Sequence, residues 1–233
     1  MMFMQIPEHV GVIIDGNRRW AHAHGLKPWD GHKVGRQVAE DFLDWSLDLG
    51  VKNVSIYVLS TENLSRSPIE LKEIYHLVMG LLDIFDKKQP ILDKYDVSVR
   101  FLGNLERLPS PVRKIIGKIM EKTAKHQKRF VNIMIAYGSH YEFVNVVKKI
   151  VEKAMKFGKV KVTPKEIEKN LLVKAPVDLM IRTGGMQRLS GFMMWQAAYA
   201  EIYFTKTLWP DFTRKEYIKA IKWYNSQKKN FGM

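Results

Sequence analysis

HVGVIIDGNRRW, residues 9–20, decides the fold. His9–Ile14 reads as a short strand that is apolar on both faces, and such strands belong to parallel sheets covered by helices on both sides. It runs straight into the polar turn Asp15-Gly16-Asn17. Further along the chain, Asn53–Leu59, Val97–Leu102, Phe130–Ala136, Val177–Ile181 and Ile202–Phe204 read as five more strands. VSIYV and VNIMI repeat the two-sided apolar pattern. Helical patterns lie between them, with well-marked starts. Ser67-Pro68-Ile69-Glu70 is a capping box with proline at the first helical position. Thr163-Pro164-Lys165-Glu166 repeats it, Thr213-Arg214-Lys215-Glu216 does so without the proline, and Ser110-Pro111 marks another start. Strands alternating with helices predict an α/β domain: a mostly parallel six-stranded sheet flanked by helices. No repeat or Pro/Gly/Ser-rich linker divides residues 1–233, so a single domain is expected.

Composition narrows the classes. The 233 residues are 46% apolar and 27% charged, enough to bury a sizeable core. With no cysteine, disulfides, thiol nucleophiles and Cys-ligated metal sites are excluded. No apolar run reaches ~18 residues and the amino terminus is too short for a signal peptide, so the expected location is cytoplasmic. Lys and Arg number 38 against 24 Asp and Glu, a net charge of +14. That excess suits nucleic acid, an anionic membrane surface or phosphate-bearing substrates. Residues 148–174 hold nine Lys against three Glu, which reads as a solvated helical face. Ile69 to Phe85 reads as one helix apolar on more than one face, either simply buried or lining an apolar cavity or a subunit interface.

In a parallel α/β sheet, ligands bind outside the carboxyl ends of the strands. The first strand delivers Asp15, Gly16, Asn17, Arg18 and Arg19 there. A carboxylate beside two guanidiniums suits a metal diphosphate, with Asp for Mg²⁺ and Arg for the oxygens. An Asp-Gly turn followed by solvated arginines is the alternative. The second strand ends in LSTENLSR (59–66), and the fifth in Ile181-Arg182-Thr183-Gly184-Gly185, followed by Arg188 and Ser190. Three strand-end loops thus bring arginines to one edge. Gly11 to Gly16 has the spacing of a phosphate loop, but Asn17-Arg18 replaces its Lys-Ser/Thr. His22, His24 and His32 make no zinc set, because no H-E-x-x-H occurs.

Taken together, HVGVIIDGNRRWA (9–21), GHKVG (31–35), LSTENLSR (59–66), DLMIRTGG (178–185), RLSGF (188–192) and WQAAYAEIYFTKTLWPDF (195–212) resemble the cis-prenyltransferases, the undecaprenyl and dehydrodolichyl diphosphate synthases. The blocks keep the family's order across nearly the whole chain. The resemblance implies a transferase that condenses isopentenyl diphosphate repeatedly onto an allylic diphosphate, farnesyl or geranylgeranyl, with each new double bond cis. The product would be a long polyprenyl diphosphate for a glycosyl-carrier lipid, made in a tunnel walled partly by the apolar helix at 69–85. Among members of the family, an archaeal-type enzyme is the expected match.

Roles follow by position as the resemblance implies them. Asp15 would hold Mg²⁺ on the leaving diphosphate, and Gly16, Asn17, Arg18 and Arg19 would form the diphosphate loop, with Trp20 and His32 beside it. Ser60, Thr61, Glu62, Asn63 and Arg66 match a substrate segment. Its Asn63 is read as orienting substrate or relaying a proton through diphosphate, a neutral amide being a poor base. Arg182, Arg188, Leu189 and Ser190 would bind isopentenyl diphosphate, and Glu201 would be a second Mg²⁺ contact near a partner subunit. A homodimer joined through the apolar block Phe192 to Trp209 is expected, with peripheral contact to a membrane surface and no nucleic-acid partner. Departures from the family pattern are Pro28 in place of an Arg, Ser139-His140, Met186-Gln187, and Asn230-Phe231-Gly232 in place of a closing R-x-G. The competing readings are a non-catalytic partner subunit, which would lack Asp15 and keep R-x-G, and a basic nucleic-acid-binding protein.

Overall fold

The computed structural model describes residues 4–228. Strands β1 (His9–Ile13), β2 (Asn53–Ser60), β3 (Val97–Leu102), β4 (Arg129–Tyr137), β5 (Leu179–Arg182) and β6 (Glu201–Phe204) form one sheet in the order β3-β4-β2-β1-β5-β6. Every pairing is parallel. The sheet thus matches the expected six strands, with ends shifted by one or two residues. β1 stops at Ile13 because the Asp15 amide donates back to the Ile13 carbonyl and turns the chain. β5 starts at Leu179, two residues after the expected Val177, whose amide donates instead to Gln196 in the loop ahead of β6.

Among the described residues, eight α-helices accompany the strands: α1 (Asn17–Ala23), α2 (Pro28–Leu49), α3 (Pro68–Met79), α4 (Leu81–Tyr95), α5 (Ser110–Thr123), α6 (Ser139–Phe157), α7 (Pro164–Asn170) and α8 (Arg214–Ser226). Three caps form as read: Ser67, Thr163 and Thr213 each accept from the amide three residues on. At α5 the cap is Pro109, and Ser110 is already helical. The apolar helix expected over 69–85 is two helices that meet at Gly80.

β1 places Val10 and Val12 on one face of the sheet and Ile13 on the other. The first face packs on α2 and α8 through Phe42, Tyr217 and Ile221. The second packs on the 171–197 segment through Val173, Phe192 and Met193. This two-sided burial is what the uninterrupted apolar runs require. Beyond β2, residues of β3 and β4 share a third cluster with α3, α4 and α5. β2, β1 and β5 are neighbours, so the three loops read as arginine-bearing open side by side at the carboxyl edge.

Candidate active site

At that edge lies a cavity of about 820 Å³. Asp15, Gly16, Asn17, Arg18, Arg19, His32, Ser60, Asn63, Arg66, Arg182, Arg188 and Ser190 all line it, so most of the sequence-read residues converge. Their placement begins with the turn after β1. Gly16 adopts φ +119°, and a β-carbon there would press against Leu208 at 3.0 Å. Asn17 then starts α1, and α2 lies hard against it. A β-carbon on Gly31 would come within 2.0 Å of the Asn17 carbonyl oxygen, and one on Gly35 within 2.1 Å of Asn17 Oδ1. The two glycines of GHKVG therefore allow α2 to approach the loop. Asn17 Oδ1 is buried and has no hydrogen-bond partner among the described residues.

Asp15 is held from both sides. Its Oδ1 accepts from Arg19 at 3.1 Å and its Oδ2 from Arg182 at 2.9 Å, while the side chain stays 29% exposed to the cavity. Arg19 also donates to the Gly184 carbonyl at 2.7 Å. Arg182 is buried, and donates further to Ser190 Oγ at 2.8 Å and to the Arg188 carbonyl. Gly184 takes φ +81°, and a β-carbon there would lie 2.5 Å from the Arg19 guanidinium. The Gly-Gly turn thus makes room for a cation next to Asp15.

A second carboxylate organises the opposite wall. Glu70 is 6% exposed, at the third position of α3, with its amide donating to Ser67 Oγ. Its Oε1 accepts from Arg66 at 3.1 Å, faces His32 Nε2 at 3.4 Å and lies 3.8 Å from Arg18 Nε. Arg66 also donates to Asn63 Oδ1 at 3.1 Å, and Ser60 Oγ accepts from the Asn63 amide. Burial, reinforced by the Arg66 charge, holds the His32 imidazole below its ordinary pKa against the pull of Glu70. Sequence reading took Glu70 only as a cap. No helical spacing marked its second role, because Arg66 lies ahead of α3 in extended backbone and meets Glu70 only through the turn at Ser67-Pro68. His22, Pro28 and Tyr57 also line the cavity and were not read as site residues.

Five expected residues do not line it. Trp20 stacks on His24 and donates to Asp211 at 2.7 Å. Thr61 donates to its neighbour Glu62 at 2.9 Å, and Leu189 packs with the apolar cluster around Phe192. Glu201 opens β6 opposite Leu179, which is itself level with Val10. It therefore sits at the amino edge of the sheet, away from Asp15 at the carboxyl edge. Among the described residues, no three His, Cys, Asp or Glu side chains gather into a metal-holding group.

The polar cavity continues into an apolar one of about 120 Å³, with Ile14, Asn17, His32 and Val58 shared between them. Its walls are the sheet, through Ile56 and Ile133, and α2, α3 and α4, through Leu43, Ile74, Val78 and Phe85. The chain therefore puts a row of guanidiniums beside a greasy bore, an arrangement suited to a molecule with an anionic head and a hydrocarbon tail.

Comparison with known proteins agrees with this geometry. A family model described as putative undecaprenyl diphosphate synthase matches residues 13–232. A tritrans,polycis-undecaprenyl-diphosphate synthase (geranylgeranyl-diphosphate specific) of Methanopyrus kandleri is 39% identical, over 98% of this chain and 85% of that protein. An isoprenyl transferase of Aquifex pyrophilus is 37% identical, over 99% and 98%. Among solved structures, lavandulyl diphosphate synthase from Lavandula x intermedia, in complex with dimethylallyl diphosphate, superposes with a TM-score of 0.91 at 28% identity, over 97% of this chain and 98% of that one. With its arginine-lined strand-end cavity matched by relatives along almost its whole length, the chain belongs to the undecaprenyl diphosphate synthase family of prenyltransferases.

Proposed function

We propose that this protein elongates an allylic diphosphate by repeated addition of isopentenyl diphosphate, forming cis double bonds and releasing a long polyprenyl diphosphate. The observation that carries the reading is the passage from the Arg-lined cavity into the apolar one, which gives head and tail of a single substrate separate solvents. Geranylgeranyl diphosphate is the primer we favour, because the Methanopyrus kandleri relative and another from Archaeoglobus fulgidus are both named as specific for it. In each cycle the allylic carbon–oxygen bond breaks, the isopentenyl alkene attacks the allylic carbon, and a proton leaves the new chain. Arg19, with Arg18 and the Gly16–Asn17 backbone, would grip the leaving diphosphate through charge-assisted hydrogen bonds. Exposed Arg188, with Ser190, would bind isopentenyl diphosphate. Buried Arg182 acts behind them, tying Asp15 to the 188–190 turn. Asn63 has its oxygen occupied by Arg66, which leaves its amide N–H groups to orient a diphosphate; the departing proton then goes to a diphosphate oxygen rather than to Asn63.

Mg²⁺ fits Asp15. A partly exposed single carboxylate facing an anion pocket is the donor that ion uses when substrate phosphates complete its shell. When bound, the ion would neutralise charge developing on the leaving group. Binding it would draw Arg19 or Arg182 off the carboxylate. Glu201 would meet a metal only in the site of a second copy.

A homodimer is part of the reading, joined through the exposed side chains of the 192–209 block together with a stripe of α6. Part of the 192–209 block serves the chain's own core: Phe192, Met193 and Trp209 are fully buried, whereas Met194 and Tyr199 are exposed. Exposed apolar side chains include Val144, Val147, Val151 and Met155, on one stripe of α6, and Met194 and Tyr199 from the block. Sedimentation of Val147→Glu beside wild type tests this surface: the wild type is expected to be a dimer at micromolar concentration and the variant a monomer. No helix among the described residues is long and apolar enough to cross a membrane, so any membrane contact would be peripheral. The reaction is tested by incubating the protein with labelled isopentenyl diphosphate, Mg²⁺ and a primer panel, then sizing the products. A ladder of five-carbon additions is expected, and failure to extend any primer would overturn the reading.

A further inference from the structure

The turn that carries Arg188 and Ser190 has an unusual backbone. Ser190, Gly191 and Met193 all take left-handed conformations, at φ +51°, +73° and +46°. Glycine enters that region freely, whereas the β-carbons of serine and methionine make it costly. Such residues persist where neighbouring groups fix them, and they gather beside functional sites.

This turn is fixed from three directions. Arg182 holds its first part, donating to Ser190 Oγ at 2.8 Å and to the Arg188 carbonyl. Ser139, fully buried at the start of α6, holds its second part at two points. The Ser139 amide donates to the Gly191 carbonyl at 2.8 Å, and the Ser139 hydroxyl oxygen accepts from the Met194 amide at 3.0 Å. Tyr57 of β2 holds the middle. Its ring stacks on Phe192 with centroids 4.6 Å apart. Its hydroxyl donates to the Tyr137 carbonyl at 3.1 Å and faces the Ser190 carbonyl at 3.4 Å. Tyr57 also lines the polar cavity, but its hydroxyl is spent on these two carbonyls. Ser139 lies at one of the positions where this chain departs from the family pattern.

We propose that Ser139 and Tyr57 are positioning residues for isopentenyl diphosphate: they hold the 188–194 turn in its left-handed course, so that Arg188 and Ser190 face the cavity together. The proposal rests on assigning isopentenyl diphosphate to that turn. Without these holds the turn relaxes toward ordinary backbone angles, and the binding-competent geometry is populated for a smaller fraction of the time. Apparent affinity falls by that fraction. The allylic diphosphate, gripped from α1 by Arg18 and Arg19, does not depend on the turn.

Steady-state kinetics of Ser139→Ala and Tyr57→Phe, with both substrates varied, test this. Ser139→Ala keeps the amide bond to Gly191 and loses the bond to Met194. Tyr57→Phe keeps the ring stack and loses the hydroxyl. Each is expected to raise the KM for isopentenyl diphosphate about three- to tenfold, the scale of one hydrogen bond, with primer KM and kcat within about twofold of wild type. Amide hydrogen exchange should quicken across residues 188–194 in both variants and stay unchanged in β1. An unchanged KM for isopentenyl diphosphate in both, or an equal rise in primer KM, overturns the proposal. If Ser139→Ala does not fold, judged by its thermal melt, Tyr57→Phe is read alone by the same criteria. Arg188→Ala separates this proposal from the reading beneath it. If Arg188→Ala raises that KM while the two variants do not, the positioning role is refuted and the substrate assignment stands. If Arg188→Ala leaves it unchanged, isopentenyl diphosphate binds elsewhere and both fall.

Discussion

Replacing Glu70 with alanine removes the counter-charge of the wall formed by Arg66, His32 and Arg18. One carboxylate oxygen serves Arg66 at 3.1 Å, His32 at 3.4 Å and Arg18 at 3.8 Å. Arg18 is 58% exposed, so water replaces that contact at little cost. Arg66 is 24% exposed, and Glu70 itself is almost fully buried, so this pair is the costly one. Removing one partner of a fully buried pair costs roughly 3–5 kcal/mol. Allowing for the water that reaches Arg66, about 2–3 kcal/mol is expected. For a chain of this size that lowers Tm by roughly 4–12 °C. Arg66 and Arg18 would also be left facing each other, so Arg66 should swing away and release Asn63. The kinetic signature is a lower kcat/KM, with the primer KM rising. Glu70→Gln keeps an acceptor for Arg66 and should recover part of the stability but little of the kinetics. A melt within 2 °C of wild type, with kcat/KM within about twofold, would refute Glu70 as the organiser of this wall.

Asp15→Ala, assayed with Mg²⁺ present, is expected to lower kcat by at least ~10²-fold, the scale for losing one charge-stabilising group; more than half of wild-type kcat would remove Asp15 from catalysis. Arg188→Ala is expected to raise the KM for isopentenyl diphosphate while leaving the melt near wild type. Arg182→Ala should lower the melt as well, because Asp15 and the 188–190 turn both lose their tie; equal melts for the two variants would contradict that division. Stability is expected to fall as pH drops below 6.5. Burial holds His9 near pKa 4, against its hydrogen bonds to Pro176 and Ala175, so the unfolded chain binds its proton first on acidification. The stabilisation is complete above pH 6.5 and is lost toward pH 4, amounting to roughly 3 kcal/mol. Melts of wild type and His9→Gln across that window measure it, and parallel curves would show that another group controls the acid limit.

The parallel sheet was legible because two-sided burial leaves an unmistakable residue pattern, as in Val54–Tyr57 and Val131–Ile135. The break at Gly80 was not. Its backbone stays right-handed at φ −69°, and the apolar pattern runs through it without a polar interruption. α4 even carries Pro90 in its interior, so the usual breaker lies inside the helix and not at its end. Both helices bury residues in the same cluster, Ile74 and Val78 before the junction and Phe85 and Leu92 after it, so burial does not mark the break either.

The site was legible one loop at a time, through the rule that ligands collect at carboxyl ends of parallel strands. That same rule already spoke against Glu201, which begins its strand and so falls at the other edge. Arg182 shows what a sequence cannot supply. It reads as a phosphate grip, yet folding spends its guanidinium on Asp15, Ser190 and the Arg188 carbonyl. The solvent-facing cations are then Arg18, Arg19 and Arg188, although Arg19 is shared with Asp15 and Arg66 is partly screened by Glu70. Five arginines line this cavity against the one carboxylate of Asp15. Such a surplus of positive charge between low-dielectric walls suits anionic substrates, and one guanidinium could leave Asp15 without emptying the positive field around it.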